Sequence, residues 1–192
     1  MRPHGEDEKG ANNCHLVTLF SVNFHSTRAG TVTFGTIDST QYSGSISYTP
    51  VYIPDGSSFW GINITSYSVG ASAPTTLAMG PILDTGSFDS LFPASVTTAY
   101  YAEVADAELS SGQWIFPCSA TLPDFHIKVS GGYNVTIHGP FLNLGSIGSN
   151  YCYGGLQPTT GLPSIGIALY QSLFVVFDYG GRRVGFATKT LS

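Results

Sequence analysis

The hydrophobic positions change texture along the chain. Residues 1–14 are polar and charged, carry Gly and Asn, and have no apolar periodicity; they read as a disordered leader. From residue 15 to 192 apolar and β-branched residues recur in short runs, which makes this stretch the folded unit. Leu16–Phe24, Gly30–Phe34 and Ile46–Ile53 each predict a strand. Phe59–Val69 predicts another, with apolar side chains at Phe59, Ile62, Ile64 and Tyr67. Turn residues separate them at Arg28-Ala29-Gly30, Tyr42-Ser43-Gly44 and Pro54-Asp55-Gly56. Two stretches depart from this rhythm. Pro93–Ala107 carries Val96, Tyr100 and Val104 at spacing four, which predicts a short amphipathic helix with Pro93 in its first turn or just before it. Ile167–Leu173 is a second helical candidate. Leu173–Phe177 and Arg183–Ala187 then form a hairpin around Tyr179-Gly180-Gly181. The expected fold is all-β, with antiparallel sheets and one or two short helices.

Composition narrows the chemistry. Hydrophobic residues make up 42 % of the chain and aromatic residues 13 %, enough for a sizeable core. Only 10 % are charged, against about a quarter in an average globular chain, so Ser, Thr, Asn, Gln and Gly must supply the polar surface. The net charge is −5, and the seven basic residues are scattered without a stripe, which argues against nucleic-acid binding. Few basic groups also mean little self-repulsion in acid. No apolar run reaches membrane-spanning length, and Met1–Asn13 lacks the apolar core of a signal peptide. The sequons at Asn63 and Asn134 fit a glycosylated, exported protein. Three cysteines, Cys14, Cys118 and Cys152, leave one unpaired or intermolecular. The five histidines show neither helical i, i+4 pairing nor a Cys-x-x-Cys partner, so no metal and no cofactor is expected. Phosphate-loop, dinucleotide and Gly-x-Ser-x-Gly signatures are missing as well.

The segment that carries chemistry is Pro81-Ile82-Leu83-Asp84-Thr85-Gly86-Ser87. An apolar strand ends in an acid, followed by a hydroxyl, a glycine and another hydroxyl. Such a carboxylate stands at the tip of a buried strand. Gly86 allows a tight turn and close approach of a ligand, and Thr85 and Ser87 can donate hydrogen bonds that orient the acid. Taken alone, the same residues also describe an ordinary turn acid.

Asp84-Thr85-Gly86-Ser87 does not stand alone. Phe34-Gly35-Thr36-Ile37-Asp38 with Tyr42-Ser43-Gly44, Phe59-Trp60, Leu122-Pro123-Asp124-Phe125, Val175-Val176-Phe177-Asp178 and Val184-Gly185-Phe186-Ala187 occur around it in order. As a set, from about Leu16 to Thr188, they resemble the C-terminal lobe of the pepsin-like aspartic proteases, especially the secreted fungal members. The resemblance implies one lobe of that fold across residues 15–192. It implies that Asp84 is one of two catalytic aspartates and that Thr85 belongs to a hydrogen-bonded grip between two catalytic loops. Ser87 would bond the outer oxygen of Asp84, and Gly86 and Ser87 would line the substrate cleft. Cys118 and Cys152 would form the lobe disulfide, with Cys14 left over. The parent enzyme would be a secreted or vacuolar endopeptidase that cuts between bulky apolar residues in acid. Two departures stand out. The family usually continues after the Ser87 position with a small hydroxyl residue and an apolar one, whereas this chain has Phe88 and Asp89. The family's late apolar-apolar-Gly-Asp segment is here Ser164-Ile165-Gly166-Ile167.

Chemistry of this kind needs two carboxylates sharing one proton, because like charges in contact cannot both ionise. The sequence has Asp-Thr-Gly once. Asp38, Asp106, Asp124 and Asp178 lack the motif, and Gly35, Asp38 and Asp178 read as turn residues. The expected partners are therefore a peptide or protein substrate and either an N-terminal lobe or a second copy of the chain. The rival reading from another class is an inactive lobe that binds peptide or glycan on aromatic residues such as Tyr42, Trp60, Tyr100, Tyr101 and Trp114. Core and cleft packing is the plainer role for those rings.

Overall fold

The computed structural model describes residues 18–26, 29–53 and 58–191. The expected leader and Cys14 lie outside them. The first half contains β1 (Leu19–Phe24), β2 (Gly30–Phe34), β3 (Ser43–Pro50), β4 (Ile64–Val69), β5 (Thr75–Met79), β6 (Ile82–Leu83), β7 (Ser90–Phe92) and helix α1 (Ala94–Tyr101). The second half contains β8 (Glu108–Ser110), β9 (Gln113–Pro117), β10 (Phe125–Val129), β11 (Asn134–Ile137), β12 (Asn143–Gly148), β13 (Tyr151–Gly154), β14 (Leu156–Pro158), β15 (Ser164–Ile165), α2 (Ile167–Ser172), β16 (Leu173–Asp178) and β17 (Arg183–Thr188). The expected β-rich class with two short helices is what the chain adopts.

A five-stranded sheet in the order β2-β1-β16-β17-β3 frames the molecule. Its middle strand β16 is buried along its apolar length because alternate side chains serve two cores. Leu173, Val175 and Phe177 enter the main core, while Phe174 and Val176 join Ala187, Tyr42, Ile46 and Tyr48 on the other face. The turn after β16 is held by Asp178, which accepts from the Gly181 N–H at 2.8 Å and from Arg183 Nε at 2.7 Å. Asp38 likewise accepts from the Thr40 N–H at 2.9 Å to start a 3-10 turn, and Gly35 takes a left-handed φ of 75°. All three have the turn roles that their sequence context suggests.

The N-terminal boundary of α1 follows from Pro93, which caps it from outside. The helix ends at Tyr101, earlier than the spacing of apolar residues implies, because the chain must reverse into β8; Asp106 supplies the left-handed turn residue. Val104 stays buried beyond the helix. Tyr100 and Phe92 pack edge-on against Phe125, with ring centroids 5.9 and 5.3 Å away. Tyr100 and Tyr101 are fully interior, so neither ring belongs to an exposed binding platform. Burying one such ring contributes about 2–3 kcal/mol.

Cys118 and Cys152 are joined, with Cα atoms 5.0 Å apart across 34 residues. The bond ties the end of β9 to β13 in the sheet β12-β13-β9-β8. Closing a loop of that size stabilises the fold by up to about 4 kcal/mol in the chain-entropy picture. The double Cys118→Ser, Cys152→Ser variant is expected to lose about 2–4 kcal/mol in denaturant unfolding.

Among the described residues one cation is interior. Lys189, 6 % exposed, donates from Nζ to Asn23 Oδ1 at 2.7 Å, to the Tyr170 carbonyl at 2.7 Å and to the Phe24 carbonyl. It thereby ties β1, α2 and the chain after β17 together. No carboxylate faces it among the described residues, and burial lowers its pKa from 10.5 to about 8. Below about pH 8 both folded and unfolded chains carry the proton, and the cost of the interior charge is fully present. Between about 8 and 10.5 only the unfolded chain keeps it, so this group's contribution to stability grows with pH there. The difference in unfolding free energy between wild type and Lys189→Met should therefore be flat between about pH 5 and 7 and rise from about 8 to 10.5; urea titrations across pH measure it.

An apolar face remains open beside the main sheet. Phe34 is 76 % exposed, Tyr179 73 % and Phe59 54 %. Phe34 reaches Trp60 through Phe20, Tyr179 meets Trp60 directly, and a cleft of about 620 Å³ runs between Val51, Phe59, Trp60 and Tyr179.

Candidate active site

Asp84 is held by its strand before it is held by its loop. β6 contributes buried Ile82 and Leu83 and pairs in parallel with β15, Ser164 opposite Ile82 and Ile165 opposite Leu83. Its other edge is also used: the Leu83 N–H donates to the Trp60 carbonyl at 2.7 Å, and the Ile62 N–H to the Pro81 carbonyl at 3.1 Å. The Asp84 N–H continues the ladder to the Ile165 carbonyl at 2.9 Å. The strand stops there, and the half-buried Asp84 side chain projects at its tip.

The loop then turns back on the carboxylate. The Gly86 N–H donates to Oδ1 at 2.9 Å and the Ser87 hydroxyl to Oδ2 at 2.6 Å. Each carboxylate oxygen is thus fixed by one donor from three residues downstream or fewer, and keeps a further lone pair for another partner. A methyl group at Gly86 would sit 3.3 Å from Oδ1, which is why the smallest residue stands there. Thr85 and Gly86 are exposed, and Ser87 is half-buried.

A second segment clamps the loop from behind. The Ile167 N–H donates to the Ser87 carbonyl at 2.9 Å, and the Gly166 N–H to the buried Ser90 hydroxyl at 3.0 Å. A Cβ on Gly166 would lie 2.2 Å from the Asp89 carbonyl and 2.6 Å from that of Ser87. The Gly that survives in Ser164-Ile165-Gly166-Ile167 therefore allows contact that no other residue could make. Below the clamp lies Tyr170, completely buried. Its hydroxyl has no partner among the described residues. Burial, and then the negative charge of Asp84, push its ionisation upward. An interior hydroxyl without a partner costs about 1–3 kcal/mol, so Tyr170→Phe is expected to leave stability unchanged or raise it, read from the thermal midpoint.

From Gly86 and Ser87 a groove of about 900 Å³ leads away past Phe88, Asp89, Phe141, Tyr153 and Gln171. The resemblance implies Gly86 and Ser87 as cleft residues; nothing in the sequence marks Phe141, Tyr153 or Gln171. These lie far apart along the chain, and only the packing of β13, α2 and the 3-10 turn before β12 gathers them.

A profile described as Eukaryotic aspartyl protease matches residues 13–189. The chain belongs to the eukaryotic aspartyl protease family. This aspartyl-protease chain is 37 % identical over 177 residues to Penicillopepsin-3 of Penicillium janthinellum, covering 89 % of this chain and 44 % of that protein. It is 39 % identical over 177 residues to Aspergillopepsin-1 of Aspergillus fumigatus, with the same coverages. Against Penicillopepsin-1 of Penicillium janthinellum the identity is 37 % over 176 residues, 89 % of this chain and 53 % of that protein. The chain thus spans about half the length, or less, of these curated relatives.

Other candidates in this aspartyl-protease chain do not assemble into a site. His126 meets the Thr136 hydroxyl at 3.0 Å, and His138 meets Asp124 at 3.2 Å. Among the described residues no three His, Cys, Asp or Glu side chains are arranged to hold a metal, and no helix is long and apolar enough to cross a membrane.

Proposed function

We propose that this chain is the C-terminal lobe of an aspartic endopeptidase, and that Asp84 supplies one of the two carboxylates that activate water for peptide-bond hydrolysis. The reading rests chiefly on the Asp84 carboxylate: both oxygens are oriented at 2.9 and 2.6 Å by Gly86 and Ser87, which themselves line a groove. One carboxylate of the dyad acts as general base on water while the other, protonated, supports the charge developing on the scissile carbonyl. Ser87 and the Gly86 N–H hold the Asp84 oxygens for that exchange, and Thr85, exposed at the loop tip, joins the grip with the second catalytic loop.

The second carboxylate comes from a further lobe. The open apolar face around Trp60 favours a covering polypeptide, since contiguous exposed apolar surface marks an interface. Trp60 accepts the Leu83 N–H, so that face adjoins the strand carrying Asp84. The rival glycan-binding reading is weakened by the burial of Tyr100 and Tyr101. The disulfide suits an oxidising compartment, and Asn63 and Asn134 are exposed, consistent with glycan attachment to a secreted or vacuolar enzyme. The test is digestion of an unfolded protein by the complete native enzyme at about pH 4 and at about pH 7.5, with cleavage sites mapped by mass spectrometry. Cleavage confined to acid, between bulky apolar residues, supports the reading; absence of any acid cleavage overturns it.

A further inference from the structure

We propose that the groove beside Ser87 selects a basic substrate residue, with the Asp89 carboxylate taking the charge and the Phe88 and Tyr153 rings flanking its stem. This inference rests on the proteolytic reading above and names a substrate class for the same site.

Three observations converge. First, among the described residues the groove lining contains one acid, Asp89, and no Lys, Arg or His. Second, among the described residues the Asp89 carboxylate forms no ion pair and accepts no hydrogen bond; the two ion pairs there are His138 with Asp124 and Arg183 with Asp178. Its backbone lies in tight packing: a Cβ on Gly166 would meet the Asp89 carbonyl at 2.2 Å, and the neighbouring Ser90 hydroxyl accepts from the Gly166 N–H. Among the described residues its charge is thus unanswered. Third, that charge reaches across the groove: after burial, Asp89 is what raises the ionisation of Tyr153.

The walls suit the rest of such a side chain. Phe88 is 60 % exposed and Ile147 55 %, and both line the groove with Phe141. A Lys or Arg stem buries its methylenes along apolar walls while its head stays polar. Aromatic faces next to a carboxylate add attraction for a cation. Phe88 and Asp89 are also the two positions at which this chain departs from the usual small-hydroxyl and apolar pattern after the catalytic motif. Both departures move the groove toward the same ligand chemistry.

The experiment uses the complete native enzyme and pairs of peptides identical except for lysine or norleucine at one position, with that position moved stepwise along the peptide. Hydrolysis gives kcat/KM. Reduced-amide versions that cannot be cut give Kd. At one position lysine is expected to be favoured about tenfold over norleucine in both readouts, in line with a hydrogen-bonded charge pair. The ratio should fall toward one in Asp89→Asn, drop a few-fold in Phe88→Ala, and shrink at high salt. Equal handling of the two peptides by wild type at every position overturns the inference, and so does a lysine preference that survives Asp89→Asn. If lysine is preferred in binding but no peptide is cut, the groove assignment stands and the proteolytic reading falls. Cleavage without preference has the opposite meaning, and neither cleavage nor binding ends both.

Discussion

Asp84→Asn in the complete enzyme is expected to lower kcat by about 10³–10⁴-fold while leaving the fold intact, since positioned acid–base groups carry factors of this order. An amide is close in shape to a carboxylate and still accepts from the Gly86 N–H through Oδ1; the Ser87 hydroxyl can reverse its role toward the amide nitrogen. The loop therefore keeps its hydrogen bonds, and the unfolding midpoint should shift by no more than about 1 kcal/mol. What vanishes is the ability to share a proton with a second carboxylate, because an amide neither ionises nor serves as a base. KM should change little, because the groove beside Ser87 is untouched. Steady-state kinetics beside a denaturant titration separate the two effects, and unimpaired turnover by the variant would remove Asp84 from the chemistry.

The second large effect is expected behind the site. Gly166→Val places a branched Cβ where the Asp89 carbonyl would be 2.2 Å away and the Ser87 carbonyl 2.6 Å. Both obstacles are backbone, so no side-chain rotation relieves them. Either β15 separates from β6 or the Asp84 loop is pushed outward, and the Ile167-to-Ser87 and Gly166-to-Ser90 bonds go with it. A destabilisation of about 3 kcal/mol or more is expected. If Asp84 carries the proposed chemistry, displacing it by about 1 Å costs about a further 10²-fold in turnover. Gly161→Ala makes the comparison, because its nearest neighbour, the Thr159 hydroxyl, is 3.5 Å away; it should be mild in both assays. A Gly166→Val enzyme with wild-type stability would contradict the clamp.

How far the sequence reveals this fold depends on where pairing information resides. Gly30–Phe34 and the hairpin of β16 and β17 are legible because local composition and a local turn define them. Helix α1 is legible from spacing, though its end is not, since a reversal into β8 overrides the continuing apolar period. β3 runs Ser43–Pro50 rather than Ile46–Ile53: its exposed first three residues are recruited by pairing with β17, as far as Ser43 opposite Thr188. The strand expected from Phe59 begins at Ile64, because residues 60–62 give their backbone bonds to Tyr52 and to the Asp84 strand instead. β8 and β12 are almost wholly exposed and have no apolar alternation; only their partners and the disulfide define them.

The candidate site divides in the same way. Asp84, Gly86 and Ser87 are contiguous, and their mutual bonding follows from a three-residue loop, so sequence is enough to anticipate it. The role of Gly166 as a clamp was partly visible through its surroundings. The Lys189 tether was not, because a lone lysine after a terminal strand has no pattern that distinguishes it from a surface residue. Asp89 is visible as a departure, but its sharing of a groove with Tyr153 depends on residues some 60 positions apart, which no local motif encodes.

The most direct measurement of the central claim is a crystal structure of the complete native enzyme with a peptide isostere carrying a hydroxyl at the scissile position. The hydroxyl is expected to lie within about 3 Å of an Asp84 oxygen and of a second carboxylate from the covering lobe, the geometry of a shared proton. An Asp84 side chain facing solvent or locked in an ion pair, with the isostere bound elsewhere, would contradict it.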